Sequence, residues 1–164
     1  MGMLSTAGRK IRSAAALTVF ELTLVLPVFC LLGVARAAIL LLPFARYARS
    51  FGKQGTSTPM SVALSDKQIQ RIRQIGRVVR STANVTPWRS LCLAQAMVAA
   101  FLLRIARIPH RTYFGVRPAD KSQSNDPIAA HSWVRCENYN VTGGQNVSSY
   151  TVVNIFEWPA RSQR

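Results

Sequence analysis

The sequence predicts an α+β chain in which helices come first and an antiparallel sheet follows. Three observations carry that expectation. Apolar residues recur at helical spacing between residues 65 and 105. Short aromatic and β-branched runs, bounded by Pro, Gly and polar residues, occupy residues 111–156. A strongly apolar stretch, residues 14–45, stands in front of both. With 164 residues and 49% apolar content, the chain can bury one sizeable core and is too apolar to be disordered throughout.

Residues 1–53 read as an apolar, basic, helical N-terminal segment. Its greasiest part is AAALTVFELTLVLPVFCLLGVARAAILLLPFA. The longest uncharged run, Leu22 to Ala35, contains Pro27 and Gly33 and falls short of the roughly 20 residues a membrane span needs. Starting at Ala14 reaches that length but puts Glu21 into hydrocarbon, at a cost of about 3 kcal/mol. A cleaved signal is the third alternative, with GRKIR as its basic start and Ala35-Arg36-Ala37 as the cut. The sequence beyond that cut, AILLLPFARYARSF, is again apolar and basic. The expected arrangement is a helical pair docked on the core or lying at a membrane surface, in an otherwise cytoplasmic chain. Residues 54–64, within the Gly-, Ser-, Thr- and Pro-rich SFGKQGTSTPMSVAL, read as a linker, and residues 65–164 as the core domain.

The core opens with a capping box, Ser65-Asp66-Lys67-Gln68. Ile69, Ile72, Ile75 and Val79 then recur on one helical face, with Lys67, Arg71, Arg73, Arg77 and Arg80 on the others. This is a basic amphipathic helix: a solvated face opposite a core stripe, or a docking surface for an acidic partner. A second helix is expected to start at Thr86-Pro87, since Thr caps well and Pro suits the first helical position. It continues through LCLAQAMVAAFLLRIARI to Pro109 and is apolar nearly all round, so it should be buried. Strands are expected at 111–116, 129–136 and 150–156, with a polar loop at 118–127 and a turn region at 139–146.

Lys and Arg number 21 against 6 acids, a net charge of +15, which favours an acidic partner. The excess is +6 in residues 1–53, +9 in 54–118 and zero in 119–164. Three cysteines at irregular spacing argue against a disulfide scaffold. No CxxC pair is present, and a Cys92/His131/Cys136 set lacks a fourth ligand, so no metal or cofactor is expected. Nucleic acid is not expected either, because no binding module is recognisable.

Cys92 lies near the start of the buried helix, where backbone N–H groups favour a thiolate, and His131 lies on a strand. A Cys on a helix beside a His on a neighbouring strand is the geometry of a thiolate–imidazole pair. Each residue also has a plain structural alternative: a buried Cys packs as a small hydrophobe, and a strand His is commonly structural. Cys30 and Cys136 read as structural, and His110, just after Pro109, as surface. Asn84-Val-Thr, Asn140-Val-Thr and Asn146-Val-Ser match the glycosylation acceptor pattern, which by itself assigns no function.

The words TPWRSLCLAQAMVAAFLLRIARIPHRTYFGV, AAHSWVRC and VTGG change the balance. Their P-W-x-x-x-C-L start, L-L-R helix end, G-V strand end and A-H-S-W-V strand resemble the transglutaminase-like cysteine peptidases of lasso-peptide biosynthesis, over roughly residues 66–158. The resemblance implies a papain-like core, with a nucleophile near the N-terminus of a central helix packed on an antiparallel sheet. It implies Cys92 as nucleophile and His131 as general base. The implied activity is removal of the leader from a precursor peptide before a separate asparagine-synthetase-like macrocyclase closes the ring. In the split form of the family a small leader-recognition protein presents the leader. Residues 1–64 leave no room for that recognition domain, so such a partner is expected. The family's third member, an Asp about a dozen residues after the His, falls at Thr142-Gly143-Gly144, where there is no acid. Asn140 is the candidate in its place, with Asn146, Asn154 and Glu137 as rivals. Trp88, Gln95 and Trp133 are candidates for the substrate groove. The competing functions are a non-catalytic membrane-associated scaffold of the same fold and a transglutaminase-like acyltransferase.

Overall fold

Thr18 and Glu21 start the first helix by capping each other. The Glu21 N–H donates to Thr18 Oγ1 at 3.3 Å, and the Thr18 N–H donates to Glu21 Oε2 at 2.7 Å. In the computed structural model, which describes residues 18–55, 62–119 and 127–158, helix α1 runs Val19–Leu41 and stops ahead of Pro43. Its inner face carries Glu21, Val28, Leu32 and Ala35, all buried. Its outer face carries Val19, Leu22, Leu26, Val34, Leu40 and Leu41, all exposed. By length and composition alone this helix can cross a membrane.

A short helix α2 (Phe44–Ala48), a 3-10 turn (Arg49–Phe51) and a two-residue strand β1 (Lys53–Gln54) follow. The expected linker therefore begins inside a strand, and the Gly55 N–H donates to the Ile155 carbonyl at 2.8 Å. Residues 56–61 of that linker lie outside the described residues.

Helix α3 (Asp66–Ala83) starts at the expected capping box, with Ser65 Oγ accepting from the Gln68 N–H at 3.3 Å. Ile72, Ile75 and Val79 form its buried stripe. Arg77 stays half in solvent and reaches Glu21 of α1 at 3.3 Å. The Arg71 guanidinium sits 3.6 Å over the Phe20 ring. These contacts hold the start of α1 against α3, and they supply the cation that a buried carboxylate requires.

Helix α4 (Cys92–Ile105) packs against α1, α3 and the sheet. It starts later than expected. Thr86 caps no helix; its hydroxyl shares its one hydrogen between the Ala83 and Trp88 carbonyls, each 3.0 Å away, and can accept from Ser90 Oγ at 2.9 Å, which knits residues 83–90 into a turn. Cys92 is thus in the first turn of α4, with Leu91 at the N-cap.

The sheet has five antiparallel strands in the order β1-β5-β2-β3-β4, with β2 His110–Pro118, β3 Ile128–Cys136, β4 Tyr139–Thr142 and β5 Thr151–Trp158. The expected turn region thus contains strand β4. Arg111 and Glu157, directly opposed on β2 and β5, form an ion pair at 2.9 Å. On β3, Val134 and Cys136 join the helix-side core, and burial pushes the Cys136 thiol up to about 12.

His110 is at the base of this sheet, fully buried rather than on the surface as expected. Its ring stacks on Trp158 at 5.9 Å, and Nδ1 lies 2.9 Å from the Ile108 carbonyl. Burial lowers its pKa to about 4, with the Ile108 bond opposing and the Arg104 charge adding to the drop. An unfolded His titrates near 6.5, so between about 4 and 6.5 only the unfolded chain takes up this proton. Stability should fall by about 3 kcal/mol as pH drops through that window. Urea unfolding at pH 7 and pH 4.5 measures the loss, and His110→Gln should flatten the slope; an unchanged slope would remove His110 from the account.

Candidate active site

The strand–turn–strand at residues 128–144 sets the imidazole. His131 sits on β3, and its Nε2 is 2.7 Å from the carbonyl oxygen of Gly143, just past the end of β4. A carbonyl only accepts, so Nε2 carries the hydrogen and donates it. That leaves Nδ1 with the free lone pair, the atom able to take a proton. Gly143 has φ +66°, and a Cβ there would stand 2.4 Å from the Ser132 carbonyl oxygen. Only glycine lets the backbone approach β3 this closely and aim its carbonyl at the ring.

Aromatic side chains fix the ring from its sides. Trp133 stacks on His131 at 5.9 Å between centroids and on Tyr113 at 5.4 Å, and Tyr150 meets the imidazole at 5.0 Å. Gly115 is the register partner of His131. A Cβ on it would lie 2.9 Å from both Trp133 and Tyr150, so its bare backbone makes room for these rings.

The partly exposed thiol of Cys92 lies at the opening of α4. Leu91 offers no side-chain cap, so the first-turn N–H groups beside Sγ have no side-chain acceptor. Cys92 and His131 together line two adjoining clefts. One is apolar, about 360 Å³, and takes Arg36, Ile39, Phe44, Arg89 and Phe114 into its walls. The other is polar, about 580 Å³, with Arg80, Asn84, Gln95, Asn140 and Gln145. Cys92 and His131 therefore border the same two clefts, and among the described residues no hydrogen bond joins the thiol to the imidazole.

The remaining candidates are placed as follows. Gln95 lines the polar cleft, with Nε2 donating to the Ser90 carbonyl at 2.8 Å. Asn140 lines that cleft too but makes no hydrogen bond to His131 among the described residues; the Gly143 carbonyl has that place. Asn154 bonds the Ile155 N–H at 2.8 Å, and Asn146 takes a left-handed conformation before a 3-10 turn. Trp133 is buried and backs the site instead of lining a groove. Trp88 packs on Phe29 of α1 at 5.0 Å, within 3.3 Å of where a Cβ on Gly33 would be, and braces the turn that leads into Cys92. Among the described residues no group of three His, Cys, Asp or Glu side chains could hold a metal ion.

Two features escaped sequence reasoning. The group that orients His131 is main chain, so no residue type announces it; only the spacing from His131 to Gly143-Gly144 pointed there. Arg36, Ile39 and Phe44 come from the front segment, far from Cys92 in sequence, and nothing local marks them.

The geometry makes a specific expectation for reactivity. At pH 6, iodoacetamide should modify Cys92 and spare Cys136. Asn140→Ala should leave the Cys92 rate within about twofold, whereas His131→Ala and Gly143→Ala should each slow it about tenfold or more. Peptide mapping with circular dichroism on each variant checks this, and equal slowing by Asn140→Ala would return the orienting role to Asn140.

One family model, the transglutaminase-like superfamily, matches residues 38–154, from within α1 to within β5. No curated protein and no solved structure matches the chain.

Proposed function

The chain belongs to the transglutaminase-like superfamily, and from that premise we propose that it is a cysteine peptidase that removes the leader from a lasso-peptide precursor. The observation that carries the enzymatic part is the shared position of Cys92 and His131 between two clefts, with the ring held by Gly143. The substrate part rests on the P-W-x-x-x-C-L and A-H-S-W-V words, which resemble the lasso leader peptidases.

The chemistry follows from the tautomer. His131 Nδ1 takes the proton from Cys92 Sγ. The thiolate adds to the carbonyl of the last leader residue, and the oxyanion accepts hydrogen bonds from the uncapped first-turn N–H groups of α4. The C–N bond then breaks, and the proton on Nδ1 passes to the departing amine. Water enters, Nδ1 takes one of its protons, and hydroxide attack on the thioester releases the leader carboxylate and restores the thiol. Throughout, Nε2–H stays on the Gly143 carbonyl and steadies the imidazolium.

In this proposal a small leader-recognition protein delivers the precursor, and an asparagine-synthetase-like macrocyclase takes the freed core peptide. The exposed arginines of α3, Arg73, Arg77 and Arg80, offer such a carrier–leader complex a basic surface. The apolar outer face of α1 is suited to a membrane surface.

Cys92→Ala should abolish leader release in a reconstituted reaction of precursor, recognition protein and peptidase, while circular dichroism stays unchanged. Retained cleavage would remove the peptidase proposal, and transfer of the leader to an added amine in preference to water would favour an acyltransferase. Binding of the carrier–leader complex should weaken severalfold between 50 and 300 mM salt (on the order of one Debye-length halving). Titration by fluorescence anisotropy measures it, and a flat salt response would count against docking on the basic surface.

A further inference from the structure

Strand β4 leads into the carbonyl that holds His131, yet the sheet itself grips β4 weakly. It is an edge strand of four residues, Tyr139–Thr142, paired only with β3. The register is also interrupted. Asn140 faces Arg135 and Thr142 faces Val134, so two steps on β4 answer one step on β3. Val141 is therefore the extra residue of a β-bulge and has no partner in the ladder. It is buried, at 1% exposure. A buried carbonyl needs a donor, and the bulge leaves this one to find its donor outside the sheet.

Helix α3 supplies it. The Arg80 guanidinium donates through Nη1 to the Val141 carbonyl. Gly76, one turn earlier on the same face of α3, makes the room. A Cβ there would stand 2.6 Å from the Val141 oxygen and 2.9 Å from Arg80 Nη1. Arg73 adds a second tie, its guanidinium 5.6 Å from the centre of the Tyr139 ring. Among the described residues Arg80 meets no carboxylate, so its charged tip is spent on main chain. Burial, and then the neighbouring Arg77 charge, lower its pKa from the ordinary arginine value. Two residues past Val141, Gly143 turns with φ +66° and aims its carbonyl at His131 Nε2, 2.7 Å away. The direction of that carbonyl depends on where the bulge sets the chain.

We propose that Arg80 is a positioning residue: it pins the β4 bulge at Val141 and so fixes the Gly143 carbonyl that keeps a hydrogen on His131 Nε2. It acts through the main chain and not on the reacting atoms. Control of the tautomer follows from the chain path alone, whereas its consequence for Cys92 rests on the peptidase reading of Cys92 and His131.

The chain has two histidines, His110 and His131, so long-range proton–nitrogen NMR of the full chain resolves both rings, and His131→Gln assigns them. At pH 8, where ordinary imidazoles are neutral, His131 Nε2 should read as the protonated nitrogen in the wild-type chain. In Arg80→Met and in Gly76→Ala the two ring nitrogens should move toward a common averaged shift. Arg80→Lys, which keeps a cationic donor, should stay close to wild type. Labelling of Cys92 by iodoacetamide should follow the same order, about tenfold slower in Arg80→Met and Gly76→Ala and within about threefold in Arg80→Lys. Gly76→Ala removes no charge, so its effect separates positioning from a direct field of the cation on the thiol. Circular dichroism melts identify the variants that fold. An unchanged His131 tautomer in either folded variant, Arg80→Met or Gly76→Ala, would overturn the proposal. So would slowing in Arg80→Met that folded Gly76→Ala does not share. A tautomer that shifts as expected, with Cys92 labelling indifferent to His131→Gln, would uphold the positioning and sink the peptidase reading.

Discussion

A helix with almost no polar side chain has to be enclosed, and the rest of this molecule is arranged around that requirement. Apart from Cys92, only Gln95 and Arg104 interrupt the apolar character of α4. Ala94, Ala96, Ala99 and Ala100 are all buried, and their small side chains let neighbouring elements come close on more than one side. One sheet cannot cover such a helix. The strands cover one side, and α3 and the apolar α1 cover others. The front segment is therefore part of the core's packing as well as a candidate for contact with lipid. Its inner face is spent on the protein, through Val28, Leu32 and Ala35, and its outer face is left apolar. The enclosure leaves Phe101 and Ile105 exposed, and it leaves open the N-terminal end of α4, where backbone N–H groups without a side-chain cap lie beside Cys92.

The same packing carries α1 into the site. Trp88 lies between the front helix and the turn before Cys92, against Phe29 and Gly33. Farther along, Arg36 and Ile39 reach the cleft beside the thiol. At its start, α1 is clamped by the Glu21–Arg77 pair, in which a buried carboxylate draws an exposed guanidinium toward it. A change at the α1–α3 contact can thus be felt at the cleft without touching Cys92. The electrostatics run the other way from the packing. Among the described residues only two ion pairs offset the cations, so the basic surface repels itself and is held together by burial.

Much of this was legible in the sequence, and the gaps have physical causes. The start of α3 was legible because a capping box is local: Ser65 and Gln68 supply their own hydrogen bonds. The start of α4 was misread for a related reason. Thr86-Pro87 has the right residue types for a helix start, but the Thr86 hydroxyl finds partners in Ala83, Trp88 and Ser90 and closes a turn instead. The true first residue follows Leu91, which has no capping group and so left no mark. Strands β2, β3 and β5 were legible from their aromatic and branched residues, each one to three residues shorter than found. Strands β1 and β4 were not, because two and four residues are too few for an alternating pattern. Cys92 and His131 stood out only through the words around them. That they line the same clefts is a matter of tertiary packing, as is the burial of His110, whose neighbour Trp158 is far away in the sequence.

The acceptor on His131 belongs to the backbone, and this changes what kind of information encodes the site. A carboxylate or an amide in that place would be announced by its residue type. A peptide carbonyl is present whatever residue is written there, and only its direction depends on the chain path. The orienting bond is thus held by the fold, through a glycine conformation and the approach of one strand end to another. A search for side-chain partners of His131 would pass over this bond, because its acceptor is main chain.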